Sequence, residues 1–311
     1  MPVRNLTPSH HVAFYRGADE FLDAALAYLR PGIEAGEPVL VALGPARTEL
    51  LRDALGEEGA VVAFADIEDF GRNPARLIPA WQDFVDRHPP GRPLRGLGEP
   101  VWSARSPAAR DECERHEALV NYAFGPETAP ALSLLCLYDT AALDDDTLEA
   151  AALTHPFLFE AGEPGANPEW DDHEPEPFAG FLPPPPLAAR QLEFDRETLN
   201  AVRSAAGVEA AEAGLDPARA ADFVLAAGEL AANSIIHGGG RGSAAIWREP
   251  GALLFEVRDE GLLCRPLAGR VRPDPTRERG RGLWVANQLC DLLQLRSGPG
   301  GTQARLGMEL R

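Results

Sequence analysis

"GELAANSIIHGGG", residues 228 to 240, sets a carboxylate, an amide and an imidazole at steps of four: Glu229, Asn233 and His237. On a helix turning about 100° per residue, these three fall within roughly 80° of one another. Val224, Ala227, Ala231 and Ile235 fall on the far side, so the polar stripe is separate from the stripe that would meet a core. Asp216 and Pro217 supply an N-cap and a first-turn residue, and a helix is predicted over 217–237. A solvated face would also produce such a stripe. Asn, however, is a poor mid-helix residue that an idle surface could replace.

Working outward, "AAIWRE" (244–249) and "ALLFEVRDEG" (252–261) read as two strands. Alternation puts Leu253, Phe255, Val257 and Asp259 on one strand face, so an anion continues the apolar row and needs a donor or a pocket. An ordinary Asp-Glu-Gly turn is the plain alternative. "RERGRGLW" (277–284) sets Gly280 and Gly282 before a helix, where backbone N–H groups suit phosphate. "LQLRSGPGGTQARLGMEL" (293–310) closes the chain as a hairpin, and an earlier helix is expected over "ETLNAVRSAAGVEAAEAG" (197–214). The predicted order is helix, helix, two strands, loop, helix, two strands, an α+β sandwich.

Upstream, "HVAFYR", "PVLVALG", "AVVAFAD" and "LSLLCLYD" alternate with amphipathic stretches such as "DEFLDAALAYLRPGIEAG". Near-continuous apolar runs between helices predict a doubly wound α/β domain over residues 1–159. Residues 160–177 hold seven acids and no Arg, and "PPPP" follows at 183–186, so 160–190 is expected to be a stiff acidic linker. The domain over 191–311 then stands apart.

The 311 residues carry a formal charge of -19 and no Lys. The acidic balance argues against direct nucleic-acid binding, and the missing Lys excludes P-loop, Schiff-base and eukaryotic-type kinase lysines. "LGPARTEL" after "VLVA" likewise lacks the Lys and second Gly of a P-loop. No leader-like or membrane-length apolar run is seen, so a cytoplasmic protein off the membrane is expected. Cys113, Cys136, Cys264 and Cys290 lack paired spacing and read as reduced thiols.

Taken together, ExxxNxxxH on a helix, DxG closing a strand, GRGL opening a helix and GT in the last hairpin resemble the GHKL ATPase superfamily. Within it they are more similar to the anti-sigma-factor serine/threonine kinases than to the histidine kinases. The resemblance covers residues 193–311 and implies a Bergerat-type ATP pocket that uses no P-loop lysine. It implies that Asn233 holds Mg²⁺, that Glu229 is the general base, and that Asp259 accepts the adenine amino group beside Gly261. Gly280, Arg281, Gly282 and Leu283 would border the phosphates under a lid over about 264–279, with Thr302 near the adenine and His237 behind the first contacts. The family's first glycine box reads DxGxG. Here it is "DEGLLC", and Leu263 at the second glycine's place stiffens the loop, favouring nucleotide binding over turnover. The implied partners are an anti-anti-sigma (STAS) protein, a sigma factor, or both. A non-catalytic ATP-binding partner switch is the alternative. A histidine kinase fits less well, since residues 191–211 hold no His.

"HHVAFYRGADEFLDAALAYLRPGIEAGEPVLVA", "GEPVWSARSP", "ECERHEALVNYAF", "LLCLYD" and "THP" resemble the MEDS sensory domain over about residues 9–157, a relative of RecA-like folds. The resemblance implies a small-molecule ligand without naming it. Candidate sensing residues are His11, Glu99, Arg105, His116, Glu117, Tyr138, Asp139 and His155. Cys113 and His116, one helical turn apart, could join Cys136 in a metal or redox site, or be ordinary buried groups. Oligomeric state stays open, a homodimer included.

Overall fold

The computed structural model describes residues 9–125, 131–170, 176–274, 276 and 280–310. It divides into two compact units, Met1–Pro175 and Glu176–Arg311. In the first, β1 (Ser9–Tyr15), α1 (Gly17–Glu34), β2 (Val39–Leu43), α2 (Pro45–Leu55), β3 (Val62–Asp66) and α3 (Ile67–Phe70) come first. They are followed by α4 (Leu77–Asp86), β4 (Leu94–Gly98), α5 (Pro107–Ala123), β5 (Leu132–Asp139), α6 (Asp145–Thr154), β6 (Phe157–Glu160) and β7 (Glu163–Ala166).

The sheet runs β3-β2-β4-β5-β1-β6-β7. Every neighbouring pair is parallel except β6 and β7, which form an antiparallel hairpin. Phe21 and Leu29 of α1 and Leu51 and Leu55 of α2 pack with Tyr15, Val41, Leu97 and Leu135 on one face. On the other face α4 comes close: a Cβ on Gly96 would stand 3.0 Å from the Trp81 ring and 2.9 Å from Leu134. His10 on that face meets α5. Both faces are covered, which is why the strands read as unbroken apolar runs.

The second unit comprises β8 (Arg190–Asp195), α7 (Leu199–Glu212), α8 (Pro217–His237), β9 (Arg241–Glu249) and β10 (Ala252–Asp259). It is completed by α9 (Gly282–Leu289), β11 (Leu292–Gly298) and β12 (Gly301–Glu309). Its antiparallel sheet is ordered β11-β12-β10-β9-β8. Asp216 caps α8 by accepting from the N–H groups of Ala218 and Arg219 at 3.0 and 3.1 Å. Of the far stripe expected on α8, Ala227 and Ala231 are buried in one core with Leu253, Phe255, Val257, Leu306 and Met308, joined by Phe223 and Leu230. Val224 and Ile235 are only partly buried at its edge, so the core face lies closer to the polar stripe than expected. Phe223 meets Phe255 edge-on at 6.4 Å between ring centres.

Two expectations are corrected. Strand β8 was missed, because "RQLEFD" has only Leu192 and Phe194 to mark it and the strand lies at the sheet's rim. The stretch 160–190 is not one free linker. Glu163–Ala166 extend the first sheet, and Phe178 is buried in the second core. The Phe178 carbonyl accepts from Ser297 N–H at 2.8 Å, and Leu182 N–H donates to Gln303 at 2.9 Å. Residues 171–175 of that stretch lie outside the described residues. No helix among the described residues is long and apolar enough to cross a membrane.

Candidate functional site

In the second unit, Glu229 and Asn233 project from α8 toward the start of α9. A Cβ on Gly282 would stand 2.9 Å from Glu229 Oε2 and 3.0 Å from both amide heteroatoms of Asn233. A side chain at this position would have to displace the ends of both Glu229 and Asn233, so the glycine leaves a small polar recess there. The Asn233 amide nitrogen is buried there and has no hydrogen-bond partner. An unpaired buried amide is costly, and it marks a place where a polar ligand belongs. Gly280, with φ +89°, turns the chain into this helix start, and Arg281 beside it is exposed.

Asp259 ends β10 on the same face as buried Leu253, Phe255 and Val257. Its Oδ2 accepts from the Ser234 hydroxyl at 2.5 Å, and its Oδ1 accepts from Gly261 N–H at 2.8 Å. Gly238 must lack a side chain, because a Cβ there would lie 2.3 Å from the Asp259 carboxyl carbon. Thr302, opposite Asp259 in the β10–β12 register, donates to the Gly261 carbonyl at 2.8 Å. Ser297 stands 2.8 Å from the Thr302 hydroxyl and accepts from Leu263 N–H at 2.8 Å. The loop that lacks a second glycine is thus held by a backbone hydrogen bond. Ser234 and Ser297 were not singled out from sequence. Ser234 is the residue after Asn233, and the half-buried anion at Asp259, continuing an apolar strand face, was the signal that some donor had to be present.

These contacts gather Asp259, Gly261 and Thr302 around one turn, and Glu229, Asn233 and Gly282 around another. Asn233 and Ser234, adjacent on α8, link the two. His237 is exposed, and Leu283 follows Gly282 in the first turn of α9. Residues 275 and 277–279 of the expected lid lie outside the described residues.

The sensing candidates of the first unit separate into groups. Glu99 and Asp139 lie at the carboxyl ends of parallel strands: Tyr15 O–H donates to Glu99, and Arg47 donates to Asp139 at 3.0 Å. Burial raises the Glu99 carboxyl above the usual carboxylate range. His11 points to the other side, against Phe157 at 5.2 Å, and burial together with His10 lowers it to about 3. Arg105 donates to the carbonyls of Gly71, Arg72 and Pro100 and so ties loops together.

The grouping of Cys113 and His116 with Cys136 is corrected. Cys113 donates to the Pro100 carbonyl, and the set that converges is His10, Glu117, Cys136 and His155. All four are buried, with ligand atoms within 4.8 Å of one another. His10 Nε2 lies 3.1 Å from Glu117 Oε2 and 3.3 Å from Cys136 Sγ, and His155 Nε2 lies 3.0 Å from Glu117 Oε2. His116 Nε2 is farther from Glu117, at 3.9 Å. Burial, then His155, lowers His10 to about 4, and burial raises the Cys136 thiol. Glu117 and Tyr138 also line a cavity of about 310 Å³ bordered by Arg110, Glu114, Thr147 and Ala150.

The family described as "MEDS: MEthanogen/methylotroph, DcmR Sensory domain" matches residues 9–156. The family described as "Histidine kinase-like ATPase domain" matches residues 192–308. Comparison with curated proteins finds no match. Among solved structures, one similar chain contains the RsbU and RsbW domains of Rv1364c from Mycobacterium tuberculosis. It is 24% identical at a TM-score of 0.30, over 39% of this chain and 32% of that one, so the alignment spans about a third of that chain's length. The protein thus carries a MEDS sensory domain in its first unit and a histidine kinase-like ATPase domain in its second.

Proposed function

We propose that the protein is a cytoplasmic signalling regulator in which the MEDS domain, a RecA-like relative, controls an ATP-binding protein kinase domain. The kinase would phosphorylate a serine or threonine on an anti-anti-sigma (STAS) partner, sequester a sigma factor, or do both. The observation that carries this reading is the recess where Gly282 brings the α9 start against Glu229 and the unpartnered Asn233 amide.

That recess suits a magnesium-bound triphosphate. Asn233 would hold Mg²⁺ through its amide oxygen, while Gly280, Arg281, Gly282 and Leu283 line the phosphates. Bound Mg²⁺ supplies neutralisation of phosphate charge. Glu229 would take the proton from the attacking hydroxyl, one helical turn from the metal-holding amide. Asp259, anchored by Ser234 and Gly261, keeps acceptor capacity for the amino group of a purine, and Thr302 fixes the Gly261 carbonyl beside it.

A second reading, an ATP-holding partner switch without turnover, is favoured by Leu263, whose N–H is committed to Ser297. The deciding experiment titrates the full chain with ATP and Mg²⁺ by calorimetry, then supplies labelled ATP and a STAS-domain protein. Asn233→Ala should lower ATP–Mg²⁺ affinity by about tenfold or more, roughly 1.4 kcal/mol. Unchanged affinity in that variant would overturn the nucleotide reading. Label transfer that persists in Glu229→Ala would remove the assigned base.

A further inference from the structure

We propose that His10, Glu117, Cys136 and His155 form a binding site for a divalent transition metal of the zinc class. The site lies within the MEDS unit and is independent of the nucleotide site. The four residues come from four elements or their ends: β1, α5, β5 and the residue after α6. Their ligand atoms all lie within 4.8 Å of one another.

The hydrogen bonds around the two imidazoles fix which ring nitrogens face the centre. Asn121 Nδ2 donates to the Thr154 carbonyl at 2.7 Å, which leaves Asn121 Oδ1 as the acceptor facing His10 Nδ1 at 3.1 Å. His10 therefore carries its proton on Nδ1 and turns the Nε2 lone pair inward. His155 Nδ1 lies 2.7 Å from the Ala151 carbonyl, an acceptor only, so its Nε2 lone pair also faces the centre. That nitrogen has no hydrogen-bond partner despite lying 3.0 Å from Glu117 Oε2. Two imidazole lone pairs and a carboxylate oxygen in mutual contact repel one another unless a proton or a metal ion sits between them, and one metal ion satisfies all three at once. A ligating histidine that donates its other N–H to a carbonyl or amide oxygen is the usual support for a bound metal.

The donor set narrows the ion. Two nitrogens, a sulfur and one carboxylate oxygen suit zinc and its neighbours and do not suit Mg²⁺ or Ca²⁺, which take oxygen ligands. A thiolate and a carboxylate together carry two negative charges, so a divalent ion leaves the buried site neutral, as a low-dielectric interior requires. Tetrahedral zinc ligands stand about 3.3–3.8 Å apart, within reach of the 4.8 Å spread by small side-chain rotations. Of the four ligands, Glu117 also lines the neighbouring cavity, the side from which an ion would approach.

The test uses untagged full-length protein grown with added zinc, gel-filtered and assayed by elemental mass spectrometry. One tightly held ion per chain is expected. After chelation, adding Co²⁺ should give a thiolate-to-cobalt charge-transfer band in the near ultraviolet. Cys136→Ser should abolish that band, and His155→Gln should weaken metal retention by at least tenfold. Should Cys136→Ser fail to fold, a triple variant with Cys113→Ser, Cys264→Ser and Cys290→Ser leaves Cys136 as the sole thiol and should keep the band. A purified chain that holds no stoichiometric metal and gives no band with Co²⁺ overturns the proposal. So does a band that survives Cys136→Ser or vanishes in the triple variant.

Discussion

Ser234 on α8 donates a 2.5 Å hydrogen bond to Asp259 at the end of β10, joining the helix that bears Asn233 to the strand that ends in the buried-face anion. A hydroxyl has one proton to give, and this contact uses it. Among the described residues, Ser234→Ala would leave the carboxylate held by the Gly261 N–H alone. A net hydrogen-bond contribution of about 0.5–1.5 kcal/mol corresponds to a roughly two- to tenfold loss in ATP affinity. Calorimetric titration of the full chain checks this, with the melting temperature as the control for folding.

Gly282 and Gly280 should behave oppositely on replacement by alanine. At Gly282 a Cβ meets Glu229 and Asn233 at 2.9–3.0 Å, so Gly282→Ala is expected to fill the recess and reduce ATP binding sharply while the fold persists. At Gly280 nothing lies within 4 Å, and the penalty there comes from φ +89° alone. Gly280→Ala should therefore cost about 1 kcal/mol of stability with a smaller effect on affinity. Equal affinity losses in the two variants would contradict the recess.

The Glu99 carboxyl gives the first unit a pH-dependent stability. Its native affinity for a proton is raised by burial; Asp139 and Glu68 add to this, while Tyr15 and Arg47 work against it. Below the ordinary carboxylate range both native and unfolded chains hold the proton, and the native preference contributes fully. As pH rises from that range to the raised native value, only the unfolded chain releases its proton, and stability falls. Glu99→Gln should remove this slope, so the variant gains on the wild type as pH rises. Urea midpoints measured across that interval would reveal it, and parallel curves for the two proteins would count against it.

Much of the second unit was legible because its signals are local. A cap at Asp216, a 3.6-residue period and Gly238 after His237 mark α8 from end to end, and strict alternation places Asp259 on the core face of β10. In the first unit Glu117, Cys136 and His155 stood out singly, but their convergence with His10 was obscure for the opposite reason. Pairing of β1 with β5 sets His10 opposite Leu134, which makes Cys136 its diagonal neighbour on the same face. Nothing local in "SHHVAFY" or "LSLLCLYD" encodes that register. Sequence spacing on α5 drew attention to Cys113 and His116, whereas the turn that faces His10 is the one bearing Glu117 and Asn121. Strand β8 was hidden in a charged stretch whose pairing supplies what its composition lacks.

The hairpin partner β7 is four residues long, exposed at every residue, and carries Pro164 as its second residue. A proline has no N–H, and a strand this short presents too few donors and acceptors to template another chain. Unfolded or neighbouring copies of the protein therefore find only a short, interrupted ladder along that rim, which disfavours self-association by strand addition there.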